Sequence, residues 1–249
     1  MTLIMAIRTE NGIAIGADKM ALYEFDDGTK QTTVTDKIFQ IGGNTLMGIA
    51  GDSRNIMQLI DMLKQSRGLD KDPYGTIKKA KKEIGKLNLD CGCLICGVSN
   101  GKPIIIELAA EKSHVEIEKI TNEYAAEGEM DVGFGIINSI LYPYLEYAKK
   151  VGKELTLSEA SFLVYLSIRE ASIKGNIDIG YGVDIWEIKS EKNDDGTIIY
   201  KVPEWKIKDS YETGYNYYKK MSIGAIENAI NLANLLRVAE PKQEKEKNK

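Results

Sequence analysis

The chain has 249 residues, 43% of them hydrophobic and 28% charged, which is ordinary globular composition with length enough for a full core. A net charge of −4 and an isoelectric point near 5.3 argue against a general nucleic-acid footprint. No apolar run approaches the ~20 residues that span a bilayer, and Cys91, Cys93 and Cys96 are too few and too crowded for a disulfide framework. Arginine occurs only at Arg8, Arg54, Arg67, Arg169 and Arg237, so lysine supplies the other basic residues. That bias, with His114 the sole histidine, fits a hyperthermophile or an AT-rich genome. Residues Met1 to Arg8 lack a basic leader and an adequate apolar stretch, which predicts a cytoplasmic protein rather than a secreted one.

In chain order, the Asn11-Gly12 turn predicts a hairpin of strands Thr2–Thr9 and Ile13–Asp18. Asp26-Asp27-Gly28 marks a loop, and strands follow at Lys37–Ile41 and Thr45–Ala50. Gly51 then opens a helix to about Arg67, with Ile56, Leu59, Ile60 and Leu63 at helical spacing. Asp72-Pro73 caps a second helix running to about Leu87. Strands Cys91–Val98 and Pro103–Leu108 flank a Ser99-Asn100-Gly101 turn, and a further pair is expected at Val115–Glu118 and Glu123–Ala126. A helix covers Ile136–Lys150, and the capping box Thr156–Glu159 starts another that ends near Lys174. Val183–Lys189 and Thr197–Val202 form a last hairpin, before a helical stretch at Ile223–Val238. The order of strands and helix pairs predicts an α+β fold, a four-layer αββα sandwich with two antiparallel sheets between helical layers. The expected division is a domain over 1–208, a helical extension over 209–239 and a disordered charged tail over 240–249.

One constellation carries chemistry. Thr2, freed by removal of Met1, would place a hydroxyl nucleophile and an α-amine base on one residue. The hairpin brings Asp18 to the same sheet edge, and Lys37 opens the next strand. A lysine near the hydroxyl would favour its deprotonation, and an aspartate would hold that lysine charged and oriented. Gly51 would offer a backbone N–H at a helix N-terminus as an oxyanion donor. Taken alone, composition and spacing favour the plainer reading of these residues, a frayed terminus, a surface ion pair and an ordinary turn.

The stretches Thr2-Leu-Ile-Met-Ala-Ile-Arg8, Gly12-Ile-Ala-Ile-Gly-Ala-Asp18-Lys-Met-Ala21, Thr35-Asp-Lys37-Ile-Phe-Gln-Ile41 and Met47-Gly-Ile-Ala-Gly51 resemble the catalytic β-type subunit of the proteasome, within the N-terminal-nucleophile hydrolases. The match is strong over about the first quarter of the chain and traceable through Cys91–Leu108 and Gly182–Ile185. The resemblance implies Thr2 as nucleophile, its amine as base, Asp18 and Lys37 as activators and the Gly51 amide as oxyanion donor. It further implies a peptide or protein substrate, a homo-oligomeric ring, an archaeal source, and no cofactor, metal, nucleic acid or membrane.

The departures from the family pattern are specific. Gly128-Glu129-Met130-Asp131 stands where a Gly-Ser-Gly turn is usual, and Asn176-Ile177-Asp178-Ile179-Gly180 where an aspartate precedes Ser-Gly. Asp178 is the better candidate for that supporting aspartate. Met20 replaces an arginine, and Leu22 a small hydroxyl residue. Three readings therefore stand: a threonine-type peptidase or amidohydrolase, a catalytically silent ring or scaffold subunit, and a proteasome-like transpeptidase of the connectase kind.

Other signals carry less. On a strand Cys91 and Cys93 share one face and Cys96 takes the other, so a three-cysteine metal site is excluded in favour of buried thiols. His114 reads as solvated in a polar turn, and Lys78-Lys79-Ala80-Lys81-Lys82 as a solvated helix face. Gly133-Phe134-Gly135 and Gly180-Tyr181-Gly182 lack the frame of a dinucleotide fingerprint. Tyr211, Tyr215, Tyr217 and Tyr218, near Trp205, would dock the extension or an oligomer partner.

Overall fold

The computed structural model describes residues 2–24, 27–51, 55–128, 135, 137–174, 182–193, 195, 198–202, 211 and 215. The chain divides into two compact units, 1–206 and 207–249. In the second unit the described residues are Tyr211 and Tyr215, both helical and buried. The expected helical extension and charged tail otherwise lie outside the described residues.

The first unit begins with strands β1 (Leu3–Thr9) and β2 (Gly12–Asp18), paired antiparallel from Thr9↔Gly12 to Ile4↔Ala17. Glu10 and Asn11 make the turn, and Gly12 already sits in the ladder. A side chain at Gly12 would collide with the Ile188 carbonyl of the neighbouring strand. Next come β3 (Met20–Glu24) and β4 (Lys30–Val34), β5 (Ile38–Gly42) and β6 (Thr45–Gly51), then helices α1 (Ile56–Lys64) and α2 (Pro73–Lys86). Strands β7 (Leu89–Ser99), β8 (Lys102–Lys112), β9 (His114–Ile120) and β10 (Tyr124–Gly128) follow. After a π-helical turn at Ile137–Leu141 come α3 (Tyr142–Lys150), α4 (Leu157–Lys174), β11 (Val183–Lys192) and β12 (Ile198–Lys201).

Two five-stranded antiparallel sheets result, ordered β10-β1-β2-β11-β12 and β5-β6-β7-β8-β9, with β3-β4 as a separate ribbon. Alternation along the strands gives each sheet two apolar faces. Ile4, Ala6, Ile13 and Ile15 of the first sheet meet Leu46, Leu94, Cys96 and Ile105 of the second. The outer face of the second sheet, including Met47, Cys91, Cys93 and Ile106, packs under Leu59, Ile60 and Leu63 of α1 and Ile77 and Ile84 of α2. Helix α4 covers the outer face of the first sheet, lying on β1, β2 and β11. The layers are thus α, β, β, α, as expected. The three cysteines divide between the two faces of β7 as the alternation requires, all buried and none in a disulfide, with the Cys91 and Cys93 thiols 3.9 Å apart on one face.

Helix ends follow local chemistry. The Asp72 carboxylate accepts the Gly75 N–H at 3.1 Å, capping α2 with Pro73 in its first turn. At α4 the capping box closes: the Thr156 N–H donates to the Glu159 carboxylate at 2.9 Å and the Glu159 N–H to the Thr156 hydroxyl at 3.2 Å.

Four expectations are corrected. Gly51 does not open a helix; it closes β6 opposite Cys91 with φ +115°, and α1 begins at Ile56. Between Asp18 and Lys37, where no strand is expected, Met20–Glu24 and Lys30–Val34 pair as the β3–β4 ribbon. The strands at 115–118 and 123–126 do not pair with each other: β9 turns back on β8, whereas β10 crosses to β1 in the other sheet. Arg8 holds that crossover, its guanidinium donating to the Thr121 and Asn122 carbonyls at 2.8 and 3.2 Å. Of the helix expected over Ile136–Lys150, residues 137–141 form a π-helical turn and Tyr142–Lys150 the α-helix. Pro143 lacks the N–H needed to continue an α ladder from the preceding turn. Among the described residues, no helix is long and apolar enough to cross a membrane.

The seat of α4 on β2 depends on Gly16. A Cβ there would stand 2.5 Å from Val164 Cγ1 and 2.6 Å from Ile185 Cδ1. Gly16→Ala is expected to destabilise the protein by about 1–3 kcal/mol through overpacking, read from the shift of a urea unfolding midpoint.

Candidate active site

Four strand ends converge at one edge of the sandwich. Thr2 precedes β1, Asp18 ends β2, Gly51 ends β6 and Gly128 ends β10, with Leu3↔Gly128 and Ile4↔Ala17 fixing the register. Lys37 stands just before β5, and its carbonyl accepts the Ile49 N–H of β6 at 2.9 Å.

Asp18 is the hub. Its Oδ2 accepts from Lys37 Nζ at 2.6 Å and from the Met20 N–H at 3.1 Å, while Oδ1 accepts the Leu3 N–H at 2.9 Å. The pair is buried, with Lys37 6% and Asp18 3% exposed. Burial pushes the Lys37 ammonium below its ordinary value, and the charge and hydrogen bond of Asp18 oppose that fall. Asp18 thereby ties the residue after Thr2, the start of β3 and a cation from the opposite sheet to one carboxylate.

A second ion cluster lies alongside. Lys19 bridges Asp36 at 3.1 Å and the buried Asp184 of β11 at 3.4 Å. Burial lowers the Lys19 affinity for its proton, but Asp36 and Asp184 together outweigh it and raise the pKa.

Thr2, Gly51 and Gly128 share a cleft of about 740 Å³ with Asp90, Cys91, Gly92, Glu111, His114, Glu116 and Glu127 among its walls. Thr2 is half-buried. The alternation that places Ile4 and Ala6 between the sheets extends to it. Gly128 has φ +110°, and a side chain there would fall on the Thr2 carbonyl, so glycine is required for β10 to approach β1 this closely.

The structure thus joins Asp18 to Lys37 and puts Thr2 and Gly51 on one cleft. Asp178 lies outside the described residues, as do Glu129, Asn176 and Ile179. Met20 is buried beside Asp18 and bonds to it through its backbone. His114 begins β9 and is exposed, with Nε2 3.0 Å from Glu116.

Sequence reasoning missed Glu127 and its partner Glu107. Glu127 faces the second sheet from β10, in register with Ile4. Its carboxyl hydrogen-bonds to that of Glu107 on β8 and lies where a Gly92 side chain would be. Burial pushes Glu127 up to about 7, the Glu107 hydrogen bond and charge add to the rise, and the Gly128 N–H works against them. The signal was a glutamate interrupting the apolar run Ile104–Leu108 at a position facing between the sheets.

Two measurements follow from this geometry. Lys37→Ala leaves the Asp18 carboxylate buried without its cation, and a loss of about 3–5 kcal/mol is expected in chemical denaturation. Glu127 affects the pH profile of stability. Between the ordinary carboxyl value of 4.5 and about 7, the folded protein holds a proton that the unfolded chain releases. Its contribution is therefore complete below 4.5 and is lost as pH rises to about 7. Glu127→Gln is expected to flatten that fall, measured as denaturation midpoints across the same window.

The family model described as Proteasome subunit matches residues 2–110, a span from Thr2 into β8 that holds Asp18, Lys37 and Gly51 and stops short of Glu127. No curated protein matches the chain. Together with the layered α+β fold, the match over residues 2–110 supports a proteasome-type subunit.

Proposed function

We propose that the protein is a threonine-type N-terminal-nucleophile hydrolase acting on peptide or protein amides, with Thr2 as nucleophile once Met1 is removed. The observation that carries this reading is the buried Lys37–Asp18 pair, whose carboxylate also binds the N–H of the residue following Thr2. An ion pair this buried is a costly way to hold two strands together and suits a site that needs a fixed cation.

In the proposed reaction, the Thr2 α-amine takes the hydroxyl proton as Oγ attacks the amide carbonyl carbon. The Lys37 ammonium stabilises negative charge developing at Oγ, and Asp18 keeps that ammonium charged and directed. The Gly51 N–H donates to the carbonyl oxygen as it becomes an oxyanion. Collapse breaks the C–N bond, the amine leaves with the proton held by the α-amine, and an ester to Thr2 remains. Water then attacks the ester and releases a carboxylic acid, restoring the hydroxyl; an amine in its place would give a new amide. Asp178 is proposed to support the terminal amine. Assembly into a homo-oligomeric ring and a cytoplasmic location belong to the same reading.

Intact-mass spectrometry with a threonine-directed epoxyketone tests it. The purified protein is expected to lack Met1 and to gain one stoichiometric adduct, which Thr2→Ala abolishes. Lys37→Ala is expected to slow adduct formation by ~10²-fold or more. Retained Met1 would remove the base and overturn the mechanism in favour of the silent ring or scaffold subunit. Product ligated to an added amine, in preference to free acid, would assign the transpeptidase.

A further inference from the structure

The space between the two sheets changes character along its length. Its middle is apolar, where Cys96 pairs with Ile105 and both are buried. One row on, Leu94 pairs with Glu107, and the row after that pairs Gly92 with Ala109, leaving a floor without bulk. The outermost row sets Asp90 beside Glu111, and Glu111 beside His114. From the opposite sheet, Glu127 reaches over Gly92 to Glu107. The cleft opens there, beside Thr2 and Gly51.

Its charge is one-sided. Asp90, Glu111, Glu116 and Glu127 line it, and none of its described lining residues is lysine or arginine, although the chain has 33 of them. Among the described lining side chains, the weakly basic His114 is engaged with Glu116. Carboxylates around a walled cleft focus a negative potential into it. One of them, Glu127, lies against the Glu107 carboxyl behind it, a like-charge contact that adds to the rise in its proton affinity. A cation entering the cleft would relieve it. A metal ion is disfavoured, because among the described residues no three acidic, histidine or cysteine side chains are grouped to hold one.

We infer that this cleft selects substrate by charge, with Glu127, Asp90, Glu111 and Glu116 receiving an ammonium or guanidinium group of the peptide whose amide meets Thr2. The inference rests on the proposed reading of Thr2 and names the substrate class of that same site. The Glu127 carboxyl itself lies over Gly92, and the small Ala109 leaves the cleft open beside it. Gly128, next to Glu127, packs on the Thr2 carbonyl, which places the cation close to the reacting residue.

Binding to the full-length Thr2→Ala protein tests this without turnover. Acetylated peptide amides carrying lysine, norleucine or glutamate at one position are titrated by calorimetry, with an unacetylated norleucine peptide as a fourth arm. The lysine peptide is expected to bind at least on the order of tenfold more tightly than its norleucine isostere, and the glutamate peptide more weakly than both. Glu127→Gln should remove most of that preference. The double variant Glu111→Gln, Glu116→Gln, on exposed strand ends, should reduce it even where Glu127→Gln fails to fold. A gain by the unacetylated norleucine peptide supports the inference and assigns the cation to a free α-amine. Equal affinities, or no binding by any peptide, overturn it. Charge-selective binding without an epoxyketone adduct would keep the cleft and sink the Thr2 nucleophile, and an adduct without selectivity would do the reverse.

Discussion

The ion pair of Lys37 and Asp18 joins the two sheets at the edge where the candidate site lies. Asp18 ends a strand of one sheet, Lys37 precedes a strand of the other, and both side chains are almost wholly buried. Removing two charges from water costs several kcal/mol per ion unless geometry and extra hydrogen bonds offset it. The offset here is a 2.6 Å contact with two backbone N–H groups completing the carboxylate. Because one of those groups belongs to Leu3, the arrangement that satisfies Asp18 also fixes where Thr2 must be. The rest of the site inherits that constraint.

Glycines convert the constraint into a cleft. Gly128 brings β10 against the Thr2 carbonyl, Gly51 turns the chain out of β6 with φ +115°, and Gly92 leaves its place to the Glu127 carboxylate. A side chain at any of the three would strike backbone or carboxylate, so each is fixed by close approach more than by chain freedom. The cleft is the volume these approaches leave open between sheets whose middle is filled with isoleucine and leucine.

Much of the fold was legible because its signals are local. The β1–β2 hairpin followed from Asn11-Gly12, the start of α2 from Asp72-Pro73, and the start of α4 from Thr156 and Glu159. The opposed faces of Cys93 and Cys96 followed from strand alternation alone. What escaped depends on partners distant in sequence. In the β3–β4 ribbon, Met20–Glu24 lacks polar–apolar alternation and Lys30–Val34 is mostly polar, and only their pairing makes them a ribbon. Strands β9 and β10 are adjacent in sequence, yet the partner of β10 is β1, which begins more than a hundred residues earlier. Lys37 and Asp18 were legible as types at a spacing; their 2.6 Å contact was not. Glu127 was invisible, because its meaning comes from Glu107 and Gly92, on two strands of the other sheet.

The buried Asp18 and the half-buried Glu127 at this edge are handled in opposite ways, and the difference separates their effects. Asp18 has a cation and two N–H donors, so its charge is answered within the protein and projects little field into the cleft. The same contact offsets much of the Lys37 field toward the cleft. Glu127 faces another carboxyl and a single backbone N–H, so its charge is answered only by a proton, held up to about pH 7. Among the described lining residues, the negative potential in the cleft therefore comes from Asp90, Glu111 and Glu116, joined by Glu127 above about pH 7. A lysine left unpaired at that edge would repel the cation that the acidic walls attract. In the proposed reading, burying it on Asp18 lets an activating cation and a cation-attracting cleft coexist at one strand end.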